Sequence, residues 1–194
     1  MSKSDPSTAK KQRSKTVKWV VTIFLVTIFV SALISLISEE VMAKSTIFVA
    51  FVILFVIVLI GIIFDIVGVA VTSADETPFH AMAARKVPGA KESIRLLRKA
   101  DKVSSICNDV VGDICGVVSG SASATIAAQV LHNFEFTWPQ LVTLLMSALV
   151  AGLTVGGKAI GKTFAVNSST KLVHTVGRII YWLQHFPQLG KKKK

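Results

Sequence analysis

The sequence predicts an all-α membrane protein, with four transmembrane helices joined to amphipathic cytoplasmic and juxtamembrane helices. Three observations lead there. Hydrophobic residues make up 52% of the 194-residue chain, the mean hydropathy is +0.62, and the formal charge is nonetheless +11. A soluble domain is rarely so apolar and so basic together, because apolar surface left unburied drives aggregation. A bilayer resolves the conflict by taking the apolar runs while lysines gather on one side. The third observation is a set of four apolar runs, each able to supply the roughly 20 residues that cross a hydrocarbon core.

Residues 1–16 are polar and basic and are expected to be a disordered tail. The apolar run from Val17 to Ile37 exceeds the usual h-region of a secretory signal, about 7–15 residues. Although Val41-Met42-Ala43 loosely matches a cleavage site, an uncleaved anchor is the expectation, with its outer loop ending near residue 45. The most hydrophobic run follows, TIFVAFVILFVIVLIGIIFDIVGVAV, from Thr46 to about Val71. The third span, about Val103 to Leu131, is far more polar, and the fourth runs from Trp138 to about Ile160. Between them Phe136 and Trp138 suit the membrane interface, and Pro139 suits a first helical turn.

Positive charge sets the orientation. Six Lys/Arg lie ahead of the first span or at its start (the sixth is Lys18), seven lie between the second and third, and eight lie from Lys158 onward, against Lys44 alone in an outer loop. Both termini and the middle loop are therefore expected in the cytoplasm of a multi-pass cell-membrane protein. Two further segments read as helices on the inner membrane surface: KESIRLLRKADKV, where Ile94, Leu97 and Val103 share a face, and TKLVHTVGRIIYWLQHF, which with a polybasic tail makes up residues 169–194. In the latter, Leu172, Val173, Val176, Ile179, Ile180 and Leu183 lie on one side, and Lys191–Lys194 would sit against anionic inner-leaflet lipid. The basic arm is read as a membrane flank, with no nucleic acid as partner.

The third and fourth spans carry rows of small residues: Gly112, Gly116, Gly120, Ala124 and Ala128, then Ala148, Gly152 and Gly156. Such rows predict close packing, either between these spans or between protomers. Polar residues accompany them. Asp109 and Asp113 are one turn apart, with Asn108 and Ser104 nearby; the second span adds Asp65, Ser73, Asp75 and Glu76, and the fourth adds Lys158. Carboxylates in hydrocarbon cost several kcal/mol unless paired or hydrated, so they should face the protein interior, pair with Lys158 or reach the headgroups. Carboxylate, amide and hydroxyl oxygens without Cys or His suit hard cations such as Mg²⁺, Ca²⁺ or Na⁺. Cys107 and Cys115 are read as packing residues. The four histidines stand beside no nucleophile, phosphate loop or zinc spacing, so no enzyme and no resident cofactor are expected.

These residues resemble the transmembrane domain of the cyclin M/CorC (CNNM) magnesium transporters over roughly Thr46 to Phe186. Ser73-Ala74-Asp75-Glu76-Thr77-Pro78 stands where that family has a Ser-Gly-Ser-Glu-Thr-Ala-like motif, and Arg85 lies near its arginine. Arg95-Leu96-Leu97 followed by Ser104-Ser105-Ile106-Cys107-Asn108 is similar to its basic helix and Ser/Asn-bearing span. Gly157-Lys158-Ala159-Ile160-Gly161-Lys162 stands in place of Gly-Glu-Ile-Ile-Pro-Lys. The resemblance implies a CNNM-like domain over residues 46–168 with an added first span over 17–45, and none of the CBS-pair or CorC-type modules that follow it in the family.

It also implies a cation site of Asp75 with Ser73, Ser104, Asn108 and the Gly157-Lys158 position; the residue pattern adds Asp109 and Asp113. Lys158 replaces the family's ligand glutamate, Gly161 its proline, and Asp75 a serine. An Asp75–Lys158 ion pair would then fill the space of the metal. The function this resemblance implies is that of a homodimer carrying Mg²⁺ or Na⁺ by alternating access, with transport altered or lost at Lys158. The alternative is a non-transporting scaffold or regulatory partner acting through its basic cytoplasmic helices.

Overall fold

In the computed structural model, residues 6–134 and 137–189 are described, with side chains over 17–134 and 137–185. The outer-loop Glu135 and Phe136 and the terminal Lys191–Lys194 fall outside the described residues. What is described is helical, with no strand.

Helix α1 (Pro6–Ala43) starts well before the first span. The basic segment expected to be disordered is therefore helical from Pro6. The local chemistry allows this: proline suits a first helical position, and the Ala, Lys, Gln and Arg that follow are good helix formers attached to an apolar helix. Helix α2 (Ile47–Ser73) is the second span. Two short helices follow, α3 (Thr77–Ala84) and α4 (Ala90–Leu97), separated by a turn in which Lys86 and Gly89 have positive φ. Helix α5 (Ala100–Asn133) is the polar third span, and its Ile106–Gly112 segment is a π-helix. Helix α6 (Pro139–Asn167) continues seven residues past the expected end at Ile160, and α7 (Ser169–Leu189) follows after Ser168. Residues Val17–Ala43 of α1, together with α2, α5 and α6, are long and apolar enough to cross a membrane.

Helix α2 is central, lying against α5 and α6, while α1 packs along α5. At one end Met42, Ala50, Leu54, Ala122, Ile126 and Val150 form a buried cluster. Beside it the Gln129 side-chain amide donates to the Met42 carbonyl at 2.7 Å. At the other end Ala70, Val71, Phe79, Ala165 and Val173 form a second cluster, which draws α3 and α7 onto the last turns of α2 and α6. Ile94, Leu97 and Val103 pack against this cluster. Ile94 and Leu97 on α4 and Val103 on α5 are thus turned onto protein, from two helices where the sequence predicts one shared face.

Candidate polar centre between the spans

Gly61, Asp65 and Gly68 recur at steps of four and three, so they form one stripe along α2. The glycines are notches for α5. A Cβ on Gly61 would stand 2.9 Å from the Cys115 Cβ, and one on Gly68 would overlap the Asn108 side chain. Cys115 is therefore the packing residue expected, and the Asn108 amide rests on bare backbone. Asp65, between the notches, is 4% exposed. From the other side, α6 presses Gly157 and Gly161 onto Ile62 and Ile66. A Cβ on Gly161 would come within 2.7 Å of Ile66.

This arrangement puts two lysines of α6 beside the polar stripe. Lys162 Nζ lies 3.8 Å from Asp65 Oδ2, with the lysine more than half exposed. Lys158, half-buried, donates to the Gly112 carbonyl at 3.4 Å, where the π-helical segment ends. Asn108 donates to Ser104 Oγ at 3.2 Å. Two buried oxygens, Asp65 Oδ2 and Asn108 Oδ1, receive no hydrogen bond. Such groups are uncommon in a packed interior and usually mark a functional or strained place.

The expected site divides accordingly. Ser104, Asn108, Gly157 and Lys158 lie in the seam between α2, α5 and α6. Ser73 and Asp75 are exposed, and Asp75 Oδ1 accepts from the Thr77 backbone N–H at 3.2 Å and its hydroxyl at 3.1 Å. That turn starts α3, so Asp75 serves the backbone and does not pair with Lys158. Glu76 reaches Arg98 at 3.1 Å. Asp109 is exposed and accepts from Ser105 Oγ at 2.8 Å, and Asp113 is exposed too. Both acids are thus turned to the surface and neither enters the seam. Among the described residues, no ion pair joins Lys158 to a carboxylate, and no group of three or more His, Cys, Asp or Glu could hold a metal. The converging acidic chamber expected from the sequence is not formed.

The glycine rows divide as well. Gly112 is buried beside Lys158, whereas a Cβ on Gly116, Gly120, Gly152 or Gly156 would meet nothing within 4 Å. Close packing instead uses Gly61, Gly68, Gly157 and Gly161. The Gly61–Asp65–Gly68 stripe was the available signal for Asp65, because it places an acid in the middle of a helix contact. A cavity of about 1040 Å³ lies at the far end of the bundle, lined by Ser45, Gln129 and His132 among others, away from these groups. No family model, curated protein or solved structure matches the chain.

Proposed function

We propose that this is a multi-pass protein of the cell membrane in which resident lysine ammoniums take the place of a transported divalent cation. Both ends and the α3–α4 segment lie in the cytoplasm on this reading, following the distribution of Lys and Arg. The protein acts as a non-transporting membrane partner or regulator with a CNNM-like transmembrane architecture. The observation that carries this reading is the charge arrangement of the seam. Asp65, the carboxylate buried within the spans, faces Lys162, and Lys158 is directed at the Gly112 backbone carbonyl. An ionisable group inside a membrane is otherwise kept for function or paired, and here the positive partner comes from the chain itself.

The test is Mg²⁺ uptake into proteoliposomes loaded with a fluorescent Mg²⁺ indicator. Wild type should match protein-free liposomes, while Lys158→Glu, which restores an acid at that position, should raise uptake. Uptake by the wild type would refute the proposal. A second reading, cation transport along the seam, is favoured by the two buried oxygens that lack donors, since such oxygens attract a cation or water. It requires wild-type flux that Asp65→Asn abolishes.

A further inference from the structure

Helix α7 starts two residues after α6 ends, and Val173 shares a buried cluster with Ala70 and Val71 of α2 and Ala165 of α6. These are the final turns of two spans. Helix α7 is thereby held against the last turns of both spans.

One side of α7 is fully used. A Cβ on Gly177 would stand 2.6 Å from the Gly89 carbonyl and 3.0 Å from the Ser93 backbone nitrogen. The single Ser93 Oγ proton is shared between the carbonyls of Gly89 at 2.9 Å and Val173 at 3.2 Å. The apolar arc is wider than this contact. Ile179, Trp182 and Leu183 remain 55%, 63% and 67% exposed, and helical spacing gathers them on a neighbouring face. Exposed Lys171 and Arg178 lie along one edge of that face. A shallow cavity of about 580 Å³, lined by Pro88, Arg178, Ile179 and Leu183 among others, opens there.

We infer that this face of α7 is a lipid-docking surface for anionic phospholipid at the headgroup–acyl boundary. Ile179 and Leu183 enter the acyl layer, while Lys171 and Arg178 reach the phosphates. An interfacial helix sinks its apolar face about 5–10 Å into that boundary with cationic residues at its edges. The seat of α7 against the last turns of the spans selects the bilayer as the occupant, and its basic edge selects anionic headgroups. The inference does not depend on whether ions cross the seam.

The test uses the full chain with Trp19→Phe and Trp138→Phe, so that Trp182 alone reports, in vesicles of phosphatidylcholine with phosphatidylglycerol. Phosphatidylcholine brominated near the headgroup should cut Trp182 emission by about half or more, and acrylamide should quench it several-fold less than free tryptophan. Energy transfer from Trp182 to a dansyl-labelled anionic lipid should exceed transfer to dansyl-phosphatidylcholine at least about twofold, and Lys171→Gln with Arg178→Gln should erase the difference. Acrylamide quenching equal to that of free tryptophan overturns the proposal, because the face is then in water. Protection from acrylamide without bromine quenching also overturns it, because protein or a second copy then covers the face. Equal transfer to the two dansyl lipids removes the anionic preference and overturns the proposal as stated.

Discussion

Replacing Gly177 with alanine sets two opposed effects against each other. In an isolated helix the change favours folding by about 1 kcal/mol, because glycine loses more backbone freedom than alanine. Here the added methyl would meet the Gly89 carbonyl at 2.6 Å and the Ser93 nitrogen at 3.0 Å. Both are backbone atoms, so neither can rotate away. Helices α4 and α7 must part by roughly 0.5–1 Å, which forfeits a quarter to a half of each dispersion contact lining the joint. Overpacking of this kind costs about 1–3 kcal/mol. The methyl would also overlap Ser93 Oγ, and displacing that hydroxyl loses the bond it shares between the Gly89 and Val173 carbonyls, about 1 kcal/mol. The steric and hydrogen-bond losses outweigh the propensity gain, leaving a net cost of about 2 kcal/mol. Amide hydrogen exchange across residues 169–185, measured by mass spectrometry in nanodiscs, should therefore speed up about thirtyfold relative to wild type. Unchanged or slower exchange would refute the claim that α7 is clamped at backbone contact.

The open glycines should respond the opposite way. Gly116→Ala and Gly152→Ala, with nothing within 4 Å of the new methyl, should leave the thermal unfolding midpoint in detergent unchanged or raise it, by up to about 1 kcal/mol of stability. Gly68→Ala must expel the Asn108 side chain and its bond to Ser104, so the same measurement should show a loss of about 1–3 kcal/mol. Lys162→Gln should cost only about 1 kcal/mol, because the ammonium is more than half exposed and 3.8 Å away. Asp65→Leu should be neutral or stabilising in the same melt, since it removes a buried carboxylate along with its need for a partner.

The number and order of the spans could be read from the sequence because hydrophobicity over some twenty residues is a strong and additive signal. Orientation about each helix axis was harder. The steps from Asn108 and Gly112 to Gly116 suggest one continuous face, yet the π-helical turn between Ile106 and Gly112 changes the angular step. Gly112 is left inside while Gly116 and Gly120 face outward. Asp75 misled for a different reason. An aspartate just before a helix has a local use, accepting from the N–H two residues on, and this needs no metal. Lys158 lies in the seam as its place in the fourth span suggests, but its partner is a carbonyl, a group that every residue carries and no residue pattern can single out. No residue pattern pairs Lys162 with Asp65, because the contact depends on how α6 crosses α2, and the crossing is set by Gly157 and Gly161 seated on Ile62 and Ile66.

The placement of α1 bears on how the molecule is made. It is joined to α2 by a tight turn but packs along α5, and Met42 is held by an amide 87 residues further down the chain. During synthesis the first two rods must each enter the bilayer and wait there, since the surface that receives α1 has not yet left the ribosome. Assembly is thus a separate event from insertion. A chain truncated before residue 129 should leave α1 adrift in lipid, open to capture by any quality-control protease that patrols the membrane.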